Sequence, residues 1–115
     1  MTTDELTKLI CDAMDDRRAT DISVLDVEHV TTLTERFVLC TGNSTTQIRA
    51  IADAIEEKST QAGNPPDHVE GYVSANWILL DFGCVVVHVF HKDMREFYAL
   101  EKLWGDAKPV DPAKL

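Results

Sequence analysis

The chain of 115 residues has the length of one domain rather than two. Hydrophobic residues make up 44% of it and charged residues 27%, so there is material for a buried core and the composition is not that of a disordered tail. No apolar run approaches the roughly 20 residues of a membrane span. Asp4 and Glu5 lie where a secretory or transit peptide would be basic and then apolar, so we expect a cytoplasmic protein.

The charge balance points to a type of partner. Eleven Lys and Arg residues face 20 Asp and Glu residues, which leaves a net charge of −9. Nucleic-acid binding relies on clustered basic side chains that release counterions, but the adjacent basic pair Arg17–Arg18 is flanked by Asp15 and Asp16. We therefore expect no direct contact with nucleic acid or membrane, and the charge favours a basic protein partner.

The three cysteines, Cys11, Cys40 and Cys84, cannot all pair within the chain, and no two have C-x-x-C spacing. This pattern is typical of a reduced intracellular protein. Each cysteine has apolar neighbours, so we expect small buried side chains rather than reactive thiols.

The N-terminal part predicts a helix and two strands. Apolar residues recur at helical spacing over 3–18, and Thr2 and Glu5 have the spacing of a capping box. The β-branched runs at 21–28 and 37–41 predict strands.

A second helix follows a break at Gly42. Ser44 and Gln47 repeat the capping-box spacing, and an apolar stripe predicts a helix from there to residue 61. Gly63 ends that helix, and the Pro65–Pro66 pair prevents its return.

The C-terminal part predicts a hairpin and a last helix. A weak strand at 68–73 precedes two strong ones at 77–82 and 84–90, and Gly83 between them indicates a tight turn. A third capping box then opens a helix over 94–104. Asp93 and Glu96 form this capping box, and the apolar stripe of the helix is Phe97, Leu100 and Trp104.

These elements predict an α/β (α+β) domain over residues 1–106. Their order is α-β-β-α-β-β-β-α, with one mixed five-stranded sheet flanked by helices. Residues 107–115, which include Pro109 and Pro112, are expected to form a flexible tail.

A phosphate site would suit the strand-to-helix turn at Gly42-Asn43-Ser44. Ser44 is more simply an N-cap, and the chain has no phosphate-loop or dinucleotide fingerprint. A nucleotidyltransferase would carry paired carboxylates on a strand. The carboxylates that follow this turn, Asp53, Glu56 and Glu57, belong to the predicted helix. We therefore predict no catalytic residues.

A metal site is also not expected. His88-x-x-His91 with Cys84 and Asp81 resembles a ligand set, but strand alternation puts Cys84 and His88 on one face and leaves the others at strand ends. We predict no metal and no cofactor, and assign His88 and Asp81 a structural role through hydrogen bonds in the hairpin.

Aromatic residues offer a binding surface instead. Trp and Tyr are enriched in interface hot spots. Tyr98 lies off the filled core stripe, which favours an interface role, whereas Trp77 and Trp104 fit either the core or an interface.

The same region carries a long pattern of spaced residues. Its members are Trp77, Asp81, Gly83, Val85, Val87, His88 and Phe90, then Arg95, Tyr98, Leu100, Glu101, Leu103 and Trp104. With matches upstream, such as Glu70-Gly71 before the hairpin, the pattern covers roughly residues 5–106. It resembles the Iojap-like ribosomal silencing factor family.

The resemblance implies a translational repressor. Such proteins bind the large ribosomal subunit through its protein fourteen, block joining of the small subunit and lower translation when nutrients are scarce. Their fold is similar to a nucleotidyltransferase without the catalytic carboxylates. Carried over by motif, the partner-binding residues are Trp77, Tyr98, Leu100 and Glu101.

Two departures from the family pattern stand out. Cys84 follows the hairpin glycine where an acidic residue is usual, and Glu35-Arg36 replaces an Asp and an aromatic residue. Two alternatives remain open: a small nucleotidyltransferase-like or phosphate-binding protein, and a homodimeric scaffold. A weak homodimer is also compatible with the repressor role.

Overall fold

The structure, a computed structural model, describes residues 1–94 and 107–115. The first half contains α1 (Thr3–Asp16), β1 (Thr20–Asp26), β2 (Arg36–Gly42) and α2 (Thr45–Gln61). The second half contains β3 (His68–Glu70), β4 (Trp77–Asp81), β5 (Val85–His91), β6 (Lys108–Pro109) and a 3₁₀ turn (Pro112–Lys114). No helix among these residues is long and apolar enough to cross a membrane.

Within the described residues the strands form one mixed sheet in the order β3-β4-β5-β2-β1-β6. The central pair, β2 and β5, is parallel and stays in register over seven residues, from Arg36 opposite Val85 to Gly42 opposite His91. The other pairings are antiparallel. The predicted fold class is therefore confirmed, with one strand more than the five expected.

The two faces of the sheet carry separate clusters of apolar side chains because successive strand residues point to opposite sides. We call the first the main core. It joins the sheet to α1 and α2 and includes Ile10, Ile51, Val38, Val87 and Ile78. The second, on the opposite face, comprises Leu25, Val27, Phe37, Leu39 and Phe90, with Val30, Trp77, Val86 and Ala107 packed against it.

The cap of α1 matches the sequence prediction. Thr2 Oγ1 accepts a hydrogen bond from the Glu5 N–H at 3.1 Å, and Glu5 Oε1 accepts one from the Thr2 N–H at 2.9 Å. These bonds satisfy orphan donors of the first turn and hold the pKa of Glu5 below its usual value. The helix ends at Asp16, two residues early, and Arg18 adopts a positive φ of 61°.

The predicted hairpin is also confirmed. Phe82 N–H donates to the Val85 carbonyl at 2.8 Å, which leaves a two-residue turn, and Gly83 supplies its positive φ of 83°. Asp81 Oδ1 accepts a hydrogen bond from the Gly83 N–H at 2.8 Å, so Asp81 has the structural role assigned to it.

The structure corrects the boundaries of the C-terminal segments. Helical geometry begins at residue 92 rather than 94, and Asp93 lies inside the helix, where its N–H donates to His91 Nδ1 at 3.2 Å. Glu96 and the stripe of Phe97, Leu100 and Trp104 lie outside the described residues.

The segment predicted as a flexible tail supplies the additional strand. Lys108–Pro109 pairs with Leu25 and Asp26 at the outer edge of β1, and the Val110 N–H donates to the Val24 carbonyl at 2.9 Å. This pairing covers part of an edge that would otherwise expose backbone donors and acceptors.

Two glycines with the same positive φ provide a matched test of the close approach of the chain to Trp77. Gly63 and Gly71 both have φ of 81°, but a Cβ on Gly63 would meet nothing within 4 Å, whereas one on Gly71 would lie 2.1 Å from the Trp77 carbonyl oxygen. We expect Gly63→Ala to lower the free energy of unfolding by about 1 kcal/mol through φ strain alone. Gly71→Ala should cost about 2–4 kcal/mol because the chain before β4 must also move.

Urea unfolding followed by circular dichroism measures both changes. Equal losses for the two variants would show that the chain does not approach Trp77 closely at Gly71.

Candidate functional site

Trp77 is the one residue of the four expected partner contacts that the structure describes. It is the first residue of β4, lies opposite Phe90 of β5, and is half-buried on the face away from α1 and α2. Tyr98, Leu100 and Glu101 lie outside the described residues, so their assignment rests on the sequence.

Trp77 belongs to a group of four rings that we call the aromatic cluster: Phe37, Trp77, His88 and Phe90. The Trp77 and Phe90 rings stack with centroids 5.2 Å apart, and the ring of His88 lies nearly parallel to that of Phe90 at 6.0 Å. Phe37 meets His88 edge-on at 5.2 Å. Offset and edge-to-face contacts of this kind are favourable for aromatic pairs.

A hydrogen bond links two members of the aromatic cluster. Trp77 Nε1–H donates to His88 Nδ1 at 3.0 Å. The two residues are a diagonal cross-strand pair, because Leu79 and not Trp77 lies directly opposite His88. The sequence prediction that His88 has a structural role in the hairpin is therefore confirmed, and the structure identifies Trp77 as its partner.

The candidate phosphate turn is occupied by the chain's own side chains. Ser44 Oγ accepts from the Gln47 N–H at 3.1 Å, so Ser44 is the N-cap of α2 as predicted. Gln47 does not complete the capping box, since its Oε1 accepts from the Asn43 N–H at 2.7 Å instead of from Ser44. Two N–H groups of this turn, those of Asn43 and Gln47, are thus already bonded to side chains of the protein itself.

Gln47 also connects α2 to the end of α1. Its Nε2 donates to the carbonyls of Arg17 and Arg18 at 3.2 and 3.1 Å. These long-range bonds satisfy carbonyls beyond the α1 C-terminus, where intrahelical partners run out. Sequence reasoning missed this role because the two segments are about 30 residues apart.

The carboxylates that follow the candidate phosphate turn lie on α2, as predicted, and not on a strand. Asp53 accepts a hydrogen bond from the Tyr72 hydroxyl at 3.1 Å, and this bond raises the pKa of Tyr72 above its usual value. Arg49 donates to the carbonyls of Tyr72 and Val73, which ties the loop before β4 to α2. Asp53 is thus engaged in holding this loop.

The side chains considered for a metal site have other contacts. Asp81 caps the hairpin turn, His88 accepts from Trp77, and His91 Nδ1 accepts from the Asp93 N–H. Among residues 1–94 and 107–115, no group of three or more His, Cys, Asp or Glu could hold a metal ion.

All three cysteines are free thiols. Cys11 and Cys40 are buried as expected, and burial raises the pKa of Cys11 to about 11. Cys84 is half-buried and packs against the main core, so its predicted place on the same face as His88 is wrong. The reason is that Cys84 lies in the hairpin turn, where strand alternation no longer applies.

The second departure from the family pattern has a local explanation. Arg36 Nη2 forms an ion pair with Asp4 at 2.5 Å, and Glu35 Oε2 accepts a hydrogen bond from Thr3 Oγ1 at 2.7 Å. Both residues therefore fasten the start of β2 to the first turn of α1. A hydrogen bond with Glu35 also raises the pKa of Glu28 above its usual value.

The role of Gln47 can be tested against a second glutamine of the same helix. Gln47→Ala removes bonds to Asn43, Arg17 and Arg18, and we expect the free energy of unfolding to fall by about 1–2 kcal/mol. Gln61→Ala removes only an exposed bond to Glu57, and should change it by less than about 0.5 kcal/mol. Thermal and urea unfolding measure both. A loss for Gln47→Ala no larger than that for Gln61→Ala would contradict the proposed link between the helices.

Comparison with known proteins identifies the family. The sequence model described as "ribosomal silencing factor during starvation" matches residues 1–115. The ribosomal silencing factor of Bacillus subtilis is 47% identical over 104 residues, which is 90% of this chain and 88% of that protein. The factor of Halalkalibacterium halodurans is 42% identical over 111 residues, covering 96% and 95% of the two chains.

A solved structure agrees with the sequence comparison. A crystal structure of a protein from Chromobacterium violaceum has a TM-score of 0.89 and 38% identity, and the match covers 96% of this chain and 92% of that one. Together, these similarities in sequence and structure show that the chain belongs to the ribosomal silencing factor family.

Proposed function

We propose that this protein is a cytoplasmic translational repressor and not an enzyme. It binds the large ribosomal subunit through its protein fourteen and sterically blocks joining of the small subunit, which lowers translation when nutrients are scarce. The observation that carries the proposal is membership of the silencing factor family over the whole chain, with relatives of similar length.

The hairpin supports Trp77 as the centre of the contact. Trp77 is half-buried, and Phe90 and His88 hold its ring on the side facing them. A large side chain that is ordered before binding loses little conformational entropy on association, which is one reason that Trp is frequent in hot spots. Tyr98, Leu100 and Glu101, which follow β5 along the chain, complete the proposed contact.

The charge of the chain supports a basic partner. The net charge of −9 would speed encounter with a basic ribosomal protein, and Glu101 would pair with a Lys or Arg of that protein. Rim charges mainly affect the association rate and the salt dependence, whereas buried aromatic anchors mainly affect the dissociation rate. Substitutions of the two kinds should therefore differ in their kinetics.

The proposal predicts graded losses of binding to isolated large subunits. Trp77→Ala and Tyr98→Ala should each raise Kd by about tenfold or more because they remove apolar anchors. Glu101→Lys should also raise Kd, with most of the effect in the association rate and a weaker dependence on salt. Co-sedimentation titrations give Kd, and surface plasmon resonance on immobilised subunits separates the two rates.

Control variants lie on the other side of the sheet. Tyr72→Ala removes an exposed aromatic side chain that bonds to α2, and Glu56→Lys makes the same charge reversal on α2. Both should bind within about twofold of the parent, since their side chains lie on the α2 side of the sheet, opposite the face that carries the Trp77 ring. If the controls and the interface variants weaken binding alike, or none does, the assigned contact surface is wrong.

A weak homodimer stays a prediction, which sedimentation over a concentration series would test.

A further inference from the structure

The hydrogen bond between Trp77 and His88 determines which nitrogen of His88 carries the proton and occupies the N–H donor of Trp77. An indole Nε1–H can donate but not accept, so the contact at 3.0 Å requires a lone pair on His88 Nδ1. His88 is therefore the neutral tautomer with its proton on Nε2, since an imidazolium would place two N–H groups against each other. The polar atom of Trp77 is thus already used within the chain.

The surroundings of His88 favour a fixed ring. Only 5% of His88 is exposed, and its ring lies between the edge contact of Phe37 and the stacked ring of Phe90. Residues Leu39 on β2 and Leu79 on β4 lie directly opposite it in the sheet. His88 Nδ1 is therefore an acceptor held by the central strands of the sheet.

We propose that His88 is a positioning residue for partner binding: it holds the Trp77 indole in one orientation, so that Trp77 offers a partner its carbon surface and not its N–H donor. The inference rests on the proposed function. It also specifies the group of the partner that contacts the Trp77 ring, which is an apolar side chain or the cationic head of a Lys or Arg. A partner acceptor aimed at the indole N–H would have to displace His88 first.

The bond can be observed in the free protein. Nitrogen-15 spectra should show His88 Nδ1 unprotonated, and the indole N–H signal of Trp77, assigned by its loss in Trp77→Phe, should shift upfield in His88→Phe. His88→Asn should restore most of the shift because the amide oxygen can take the place of Nδ1. A protonated Nδ1, or an indole signal that His88→Phe leaves unchanged, would overturn the inference whether or not the protein binds ribosomes.

Binding to isolated large subunits tests the consequence. His88→Phe keeps an aromatic ring but leaves the indole without its acceptor, and should raise Kd about fivefold to tenfold. His88→Asn should bind within about threefold of the parent, as should Trp77→Phe, which keeps an aromatic carbon surface and lacks the N–H. Circular dichroism melting of each variant confirms that it is folded.

A double-mutant cycle separates positioning from general damage to the sheet. In the Trp77→Phe background no indole needs an acceptor, so His88→Phe should have no further effect on Kd. An equal loss in both backgrounds would mean that His88 acts through the sheet and not through Trp77. If Trp77→Phe weakens binding as much as Trp77→Ala, the indole N–H itself contacts the partner and the inference is wrong.

The two proposals fail in different ways. A parent protein that does not sediment with large subunits removes the proposed function, and the nitrogen-15 result then decides only whether His88 holds the Trp77 indole in the free protein. A parent that binds, with a His88→Phe variant that binds equally well, removes the positioning role and leaves the proposed function in place.

Discussion

The parallel pairing of β2 with β5 is the constraint on which the rest of this fold depends. The two strands lie at the centre of the sheet and are joined residue by residue from Arg36–Val85 to Gly42–His91. Parallel neighbours cannot be joined by a tight turn, so the chain must cross over between them, and α2 covers the sheet during that crossover. Strand β2 is consequently buried along nearly its whole length, with side chains in both clusters.

The candidate binding surface depends on the same pairing. The register brings Phe37 of β2 beside His88 of β5, and the hairpin then brings Trp77 of β4 into hydrogen-bond distance of His88. The aromatic cluster thus draws on three strands, and a slip of one residue in β5 would turn His88 and Phe90 towards the helices. The orientation of Trp77 is therefore a product of the sheet as a whole.

Local patterns explain which features the sequence could predict. The Thr2 cap and the Gly83 turn each depend on residues a few positions apart, and both were predicted correctly. The bonds of Gln47 to the end of α1 and the pairing of β6 with β1 join segments far apart in the chain, and no periodicity signals them. For the candidate site, the resemblance pointed to Trp77, but the acceptor for its indole N–H became identifiable only from the register of β4 and β5.

The most direct test of the account is sedimentation of the parent protein with separated large and small ribosomal subunits at two salt concentrations. We predict that it sediments with the large subunit and not the small one, and less so at the higher salt because an acidic chain meets a basic partner. Sedimentation with neither subunit, or equally with both, would contradict the proposed repressor function.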